Sequence, residues 1–198
     1  ILYVDQNVAE GDDSGNSWAN AIPELRDALK WAQDWDGDAN STLQIWVAEG
    51  VYLPTGDGTT RTATFQLVND VEIYGGFAGT ETTLGSRDID ANLTILSGDI
   101  DGNDENKTDG VVTDTDHISG SNSYHVVTGG GTDVTALLDG VTITAGLADA
   151  PSGSPSRGGG MVSENGSPTL ANLTIRGNRA EGDGGGMHNT GNTPTLVS

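Results

Sequence analysis

The chain has 198 residues, 30 of them glycine and only 34% of them hydrophobic, and 29 Asp+Glu against 8 Lys+Arg give a formal net charge of −21. Gly, Asn, Asp and Thr at this level argue against a helix bundle, while recurring Val/Ile/Leu/Thr runs argue against disorder. So acidic a chain lacks the basic face that nucleic acid and anionic membranes require, and no stretch reaches the ~18 apolar residues of a membrane-spanning helix.

In chain order, Ile1-Leu2-Tyr3-Val4 reads as a strand. Trp18, Ala21, Ile22, Leu25, Ala28, Leu29 and Ala32 recur at i, i+3, i+4, i+7 spacing, which predicts an amphipathic helix from about Asn20 to Gln33. Asn20 is the expected N-cap, with Pro23 and Glu24 in the first turn. Leu43-Gln44-Ile45-Trp46-Val47 follows as a second strand. Residues 1–60 are therefore expected to form an N-terminal cap, the helix covering strand edges that would otherwise be open.

Beyond the cap, one short pattern returns. Val71-Glu72-Ile73 with Gly75, Leu93-Thr94-Ile95 with Gly98, Val141-Thr142-Ile143 with Gly146, and Leu173-Thr174-Ile175 with Gly177 each alternate apolar and polar before a glycine. That is a half-buried strand ended by a turn. Ala148 to Arg157, rich in Ser, Pro and Gly, reads as an inserted loop. Gly158-Gly159-Gly160-Met161 recurs as Gly184-Gly185-Gly186-Met187, and the Pro-Thr-Leu of Pro168 to Leu170 recurs at Pro194 to Leu196. Both offsets come to 26 (184 − 158 and 194 − 168). Such a period without helical pattern fits neither helical repeats nor propeller blades. Three short strands and three turns fill it, so the expected fold is all-β: a parallel β-helix (solenoid) with an N-terminal capping α-helix, residues 61–198 forming its coils. The Gly triplets are expected at corners.

The motifs resemble those of a known family. Tyr3-Val4-Asp5, Ser17-Trp18-Ala19-Asn20-Ala21 and Ile45-Trp46-Val47-Ala48-Glu49-Gly50-Val51-Tyr52 are similar to the N-terminal cap of bacterial right-handed β-helix repeat proteins. Tyr74-Gly75-Gly76-Phe77-Ala78-Gly79-Thr80-Glu81 and Thr94-Ile95-Leu96-Ser97-Gly98-Asp99 continue the likeness. The Gly-Gly-Gly-Met and Ser-Pro-Thr-Leu repeats resemble polymorphic outer-membrane protein repeats. The resemblance implies a right-handed, pectin-lyase-like β-helix, secretion and surface exposure, without implying pectin cleavage.

Among candidate sites, Asp99, Asp101, Asn103 and Glu105 alternate, so their oxygens can converge on Ca²⁺ if the loop curls. An EF-hand is excluded, because its sixth and twelfth positions are Asp104 and Gly110; an acidic surface turn is the competing reading. Asp34, Asp36 and Asp38 form a poorer version. Catalysis is not expected: lyase chemistry needs a basic residue beside carboxylates, and only Arg87 with Asp88 and Asp90, and Arg176 with Arg179, are grouped. His117, His125 and His188 are expected to be structural. Trp18, Trp31, Trp35 and Trp46 are expected to pack the cap.

The end of the sequence reproduces only the first part of a coil. A last, incomplete coil leaves unpaired strand edges, so self-association through that end, or continuation of a longer array, is expected. The chain begins with Ile and has no leader segment, so an exported protein with its signal peptide removed is expected. Cysteine is absent, which leaves redox compartment unread. The leading functional expectation is a non-catalytic extracellular structural or adhesive protein, either a surface rod or a head-to-tail filament, with carbohydrate or a cell surface as a ligand. A carbohydrate-binding or polysaccharide-degrading secreted protein is the alternative.

Overall fold

The computed structural model describes residues 1–35, 41–105 and 107–197. It is mostly β, with few helical residues, and its larger sheets are parallel. In chain order the strands are β1 (Leu2–Val4), β2 (Leu43–Ala48), β3 (Gly50–Tyr52), β4 (Phe65–Gln66), β5 (Val71–Phe77) and β6 (Thr94–Ser97). Next come β7 (Lys107–Thr108), β8 (Val111–Val112), β9 (Val127–Thr128), β10 (Leu137–Asp139), β11 (Thr142–Thr144) and β12 (Leu147–Ala148). The last six are β13 (Met161–Glu164), β14 (Thr169–Ala171), β15 (Thr174–Ile175), β16 (Arg179–Ala180), β17 (Met187–Thr190) and β18 (Thr195–Val197). Strands this short fit a chain punctuated so often by glycine and Asx turns.

They assemble into separate sheets. A six-stranded sheet runs β1-β2-β5-β10-β14-β18, and two four-stranded sheets run β15-β11-β6-β3 and β17-β13-β9-β4. β12 pairs with β16, and β7 with β8 makes the one antiparallel pair among the described strands. Successive strands along the chain thus pass from sheet to sheet and return.

Register explains why each strand sits where it does. In the six-stranded sheet Leu2, Ile45, Ile73, Leu138, Leu170 and Leu196 face one another strand by strand. The four-stranded sheets carry matching ladders: Tyr52, Leu96, Ile143 and Ile175 in one, Phe65, Val127, Met161 and Met187 in the other. Apart from the exposed Leu196, these side chains form or pack against a single apolar core, and a one-residue slip would turn a whole ladder outward. Met161 faces Met187 and Thr169 faces Thr195 (187 − 161 and 195 − 169, both 26), the offset read from the repeats. Elsewhere the spacing differs: Leu137 faces Thr169, an offset of 32 (169 − 137), and Glu72 faces Leu137, an offset of 65 (137 − 72). Loops absorb the surplus, including the segment 149–157, which carries a 3₁₀ turn at Ser154–Ser156.

The glycine triplets lie where backbones touch. Gly160 and Met161 donate to Gly185 O and Gly186 O, and a Cβ on Gly159 would collide with Arg179 O.

The N-terminal helix differs from expectation. Trp18–Asn20 is a 3₁₀ turn, and the α-helix, α1, spans only Leu25–Gln33. Ile22 is extended instead: its N–H donates to Tyr3 O at 2.9 Å and its carbonyl accepts from Asp5 N at 3.1 Å. The cause is Pro23, which drives the preceding residue out of the helical region. The N-cap position is Glu24, without a side-chain capping bond, and Asn20 bonds Asn16 instead. α1 buries Leu25, Ala28, Leu29 and Ala32 and packs against β1, β2 and β4.

Candidate functional site

The acidic loop after β6 is held from within. Asp99 is buried; its Oδ2 lies 2.6 Å from Lys107 Nζ, and its Oδ1 accepts from the backbone N–H of Asn103 (3.0 Å) and Asp104 (3.4 Å). Asp101 Oδ2 accepts from Asn103 Nδ2 at 2.9 Å and from Ser121 N at 2.8 Å. Asn103 Oδ1 accepts from the Ser119 hydroxyl. The structure therefore brings Asp99, Asp101 and Asn103 into one hydrogen-bonded loop, while Glu105 is exposed.

Sequence reading passed over Asp104, which alternation places on the opposite side from Asp99, Asp101 and Asn103. The chain turns at Gly102, where φ is +73°, and Asp104 swings inward. It accepts from Ser119 N at 2.8 Å and from the buried amide of Asn122 at 2.7 Å. Burial pushes its carboxyl above the usual carboxylate range, opposed by these hydrogen bonds. Among the described residues no group of three or more His, Asp or Glu side chains is placed to hold a metal ion. Asp36 and Asp38 of the poorer acidic stretch lie outside the described residues, and Asp34 is the C-cap of α1.

The basic groupings rearrange. Arg87 does not pair with Asp88 or Asp90. Its guanidinium reaches Asp139 Oδ2 at 2.6 Å and Gly75 O at 3.1 Å and lies over the Tyr74 ring. Asp88 instead caps its own turn, accepting from Asp90 N and Ala91 N. Arg61 bonds Asn122 O, Leu147 O and Asp149, and covers the Tyr124 ring. Both cations are clamps tying distant turns together. Arg179 pairs with Glu181 rather than joining Arg176. His125 Nδ1 lies 2.9 Å from Gly158 O, and burial lowers its pKa.

The tryptophans divide. Trp18 and Trp46 pack with Tyr3 and Phe77 on the outer face of the six-stranded sheet, Trp46 stacking on Phe77 at 4.8 Å. Trp18 Nε1 donates to Glu81 O, which fastens the loop over this cluster. Trp35 packs against the main core, whereas Trp31 is 50% exposed.

The far end of the sheets carries a different surface. β18, β15, β16 and β17 are all terminal strands of their sheets. Leu196, last in the aliphatic ladder, is 74% exposed and its neighbour Val197 51%. With Leu170, Leu173, Ile175 and Met187 they line a shallow apolar cavity of about 260 Å³. Among the described residues the face offers terminal strands around an apolar centre. No family model, curated protein or solved structure matches the chain.

Proposed function

We propose that the chain is a right-handed parallel β-helix of the bacterial repeat-protein type, acting outside the cell as a structural and adhesive element whose end face receives a further coil. The observation that carries this reading is the six-strand ladder from Leu2 to Leu196, which sets one aliphatic side chain per strand opposite the next and ends on an exposed leucine. The one shift, between Trp46 and Ala48 where β2 meets β5, lies past the ladder position. A ladder that adds one aliphatic side chain per strand is extended by another strand of the same pattern. The apolar cavity and the edges of β15, β16, β17 and β18 fit such an addition. The resemblance of the cap and glycine motifs supports the handedness and the extracellular setting.

A catalytic role has less support. Arg87 and Arg61, the most enclosed cations of the central sheets, are committed to carboxylates, carbonyls and aromatic rings. Calcium belongs to the proposal as a ligand of the loop bearing Asp99, Asp101, Asn103 and Glu105, where it would compete with the Lys107 ammonium for Asp99.

Analytical ultracentrifugation over a concentration series tests the end face. Concentration-dependent association is expected of this chain, and Leu196→Asp with Val197→Asp should abolish it. A monodisperse monomer at every concentration would overturn the assembly reading. Turnover of an acidic polysaccharide would overturn the non-catalytic one.

A further inference from the structure

The outer face of the sheet β15-β11-β6-β3 presents Val51, Ile95, Thr142 and Thr174 in register. It is flanked by two loops. On one side the β7–β8 hairpin turns through Asp109 and Gly110, both with positive φ (50° and 83°), the geometry a two-residue Asp-Gly hairpin adopts. Its tip rests on the sheet: a Cβ at Gly110 would stand 2.6 Å from Val51 Cγ2. On the other side runs the segment Ile89–Leu93. Between them lies an open groove of about 520 Å³, lined by Asn7, Glu49, Val51, Asp90, Leu93 and Asp109 among others. A smaller hollow lined by Asp90, Leu93, Thr142 and Thr174 shares two of these residues and continues the groove across the sheet.

Three features of this groove point to an occupant. Its floor is apolar and accessible, with Val51 38% and Leu93 37% exposed. Its rim carries Glu49, Asp90 and Asp109, and none of these carboxylates makes an ion pair or side-chain hydrogen bond among the described residues. No lysine or arginine lines it. Third, Thr142 borders the hollow, and its hydroxyl, which is not among the buried unpartnered groups of the described residues, is open to an occupant there. An apolar floor beneath separate carboxylates suits the side chain of lysine or arginine, whose methylene stem lies on hydrocarbon while its charged head reaches outward. A pyranose ring would want an aromatic platform, and no aromatic residue lines either hollow. The carboxylates are not grouped to share one metal ion.

We propose that this groove is a docking site for an extended basic peptide segment, its cationic side chains paired with Glu49, Asp90 and Asp109 and its backbone meeting the Thr142 hydroxyl. The four strands span about 14 Å at ~4.8 Å per strand, room for about four extended residues. The inference deepens the adhesive part of the functional reading by giving the ligand a chemistry. It does not depend on the end face.

Fluorescence anisotropy with a labelled (Lys-Leu)₃ peptide tests it at about 0.15 M salt, where the Debye length is about 8 Å, against (Glu-Leu)₃ and a chitosan oligosaccharide as a cationic sugar. The Leu196→Asp, Val197→Asp background keeps assembly out of the measurement. The (Lys-Leu)₃ peptide should bind, and Glu49→Gln, Asp90→Asn and Asp109→Asn together should weaken it about tenfold, the loss expected of three exposed ion pairs. Asn keeps the left-handed conformation that position 109 requires. A control that removes three charges elsewhere, Glu10→Gln with Asp12→Asn and Asp13→Asn, should change affinity less than about twofold, because separated surface charges are screened. Thr142→Val should weaken binding in the intact groove. Equal losses in groove and control variants would reduce the effect to net charge and overturn the site. Binding of the chitosan oligosaccharide in place of the peptide would overturn the peptide assignment.

Discussion

Asp104 and Asp99 are both buried acids, but their surroundings differ. Asp99 has a cation at 2.6 Å. Asp104 has only neutral hydrogen-bond donors, and burial raises its pKa. A carboxyl whose folded pKa lies above its unfolded value favours the fold while protonated. Its contribution is full below the unfolded value near 3.8 and is lost as pH rises through the folded pKa. A carboxyl ¹³C NMR titration should therefore place the Asp104 midpoint above that of a free aspartate. Asp104→Ala should cost about 1–3 kcal/mol in urea unfolding at neutral pH, because Ser119 N and Asn122 Nδ2 lose their acceptor. The calcium proposal is tested at the neighbouring ion pair. With Lys107→Ala the cation competing for Asp99 is gone, so millimolar Ca²⁺ should raise the melting temperature of that variant more than that of the parent chain. No calcium shift in either would sink the proposal. The acidic alternation was legible in the sequence. The inward turn of Asp104 was not, because Gly102 reverses the chain between them and period-two reasoning holds only for extended backbone.

At the level of elements, position along the ladder sets the cost of a substitution. Leu138 lies between Ile73 and Leu170 and is fully buried, so Leu138→Ala should destabilise by about 2–5 kcal/mol. Leu196→Ala, at the exposed end of the same ladder, should stay within about 0.5 kcal/mol. Equal losses measured by denaturant unfolding would mean that the end face is covered in solution. The ladder strands were readable in place but not wholly in register: the Leu-Thr-Ile and Val-Thr-Ile motifs fall at β6, β11 and β15, and the repeat offset reappears as strand register. Thr142, however, faces Ile95 rather than Thr94, so the motif at 93–95 sits one residue out of step, with Thr94 buried and Leu93 37% exposed. The start of α1 was misread because the apolar spacing continues unbroken through Ile22, although Pro23 and the hydrogen bonds to Tyr3 and Asp5 make that residue a strand partner. The β7–β8 hairpin is too short to show periodicity. The Arg87–Asp139 pair joins residues 52 apart, a distance over which local pattern carries no information.

For the molecule as a whole, strand partners whose numbers differ by 26 (195 − 169), 32 (169 − 137) and 65 (137 − 72) occupy successive steps of one sheet. The sheet thus counts strands, not residues. Chain inserted between strands leaves by a loop and re-enters at the next step without altering the spacing, so a step behaves like a graduation on a ruler whose slack hangs off the side. Pro151–Gly153, exposed and following β12, is such a place. An insertion of ten flexible residues there should move the melting temperature by no more than about 2 °C, since lengthening a loop costs only fractions of a kcal/mol. A large drop in a melting scan would show that the loop bears on the core. Such a protein can change what its loops display without renegotiating how its strands pair: loop length varies under one set of rules and strand register under another.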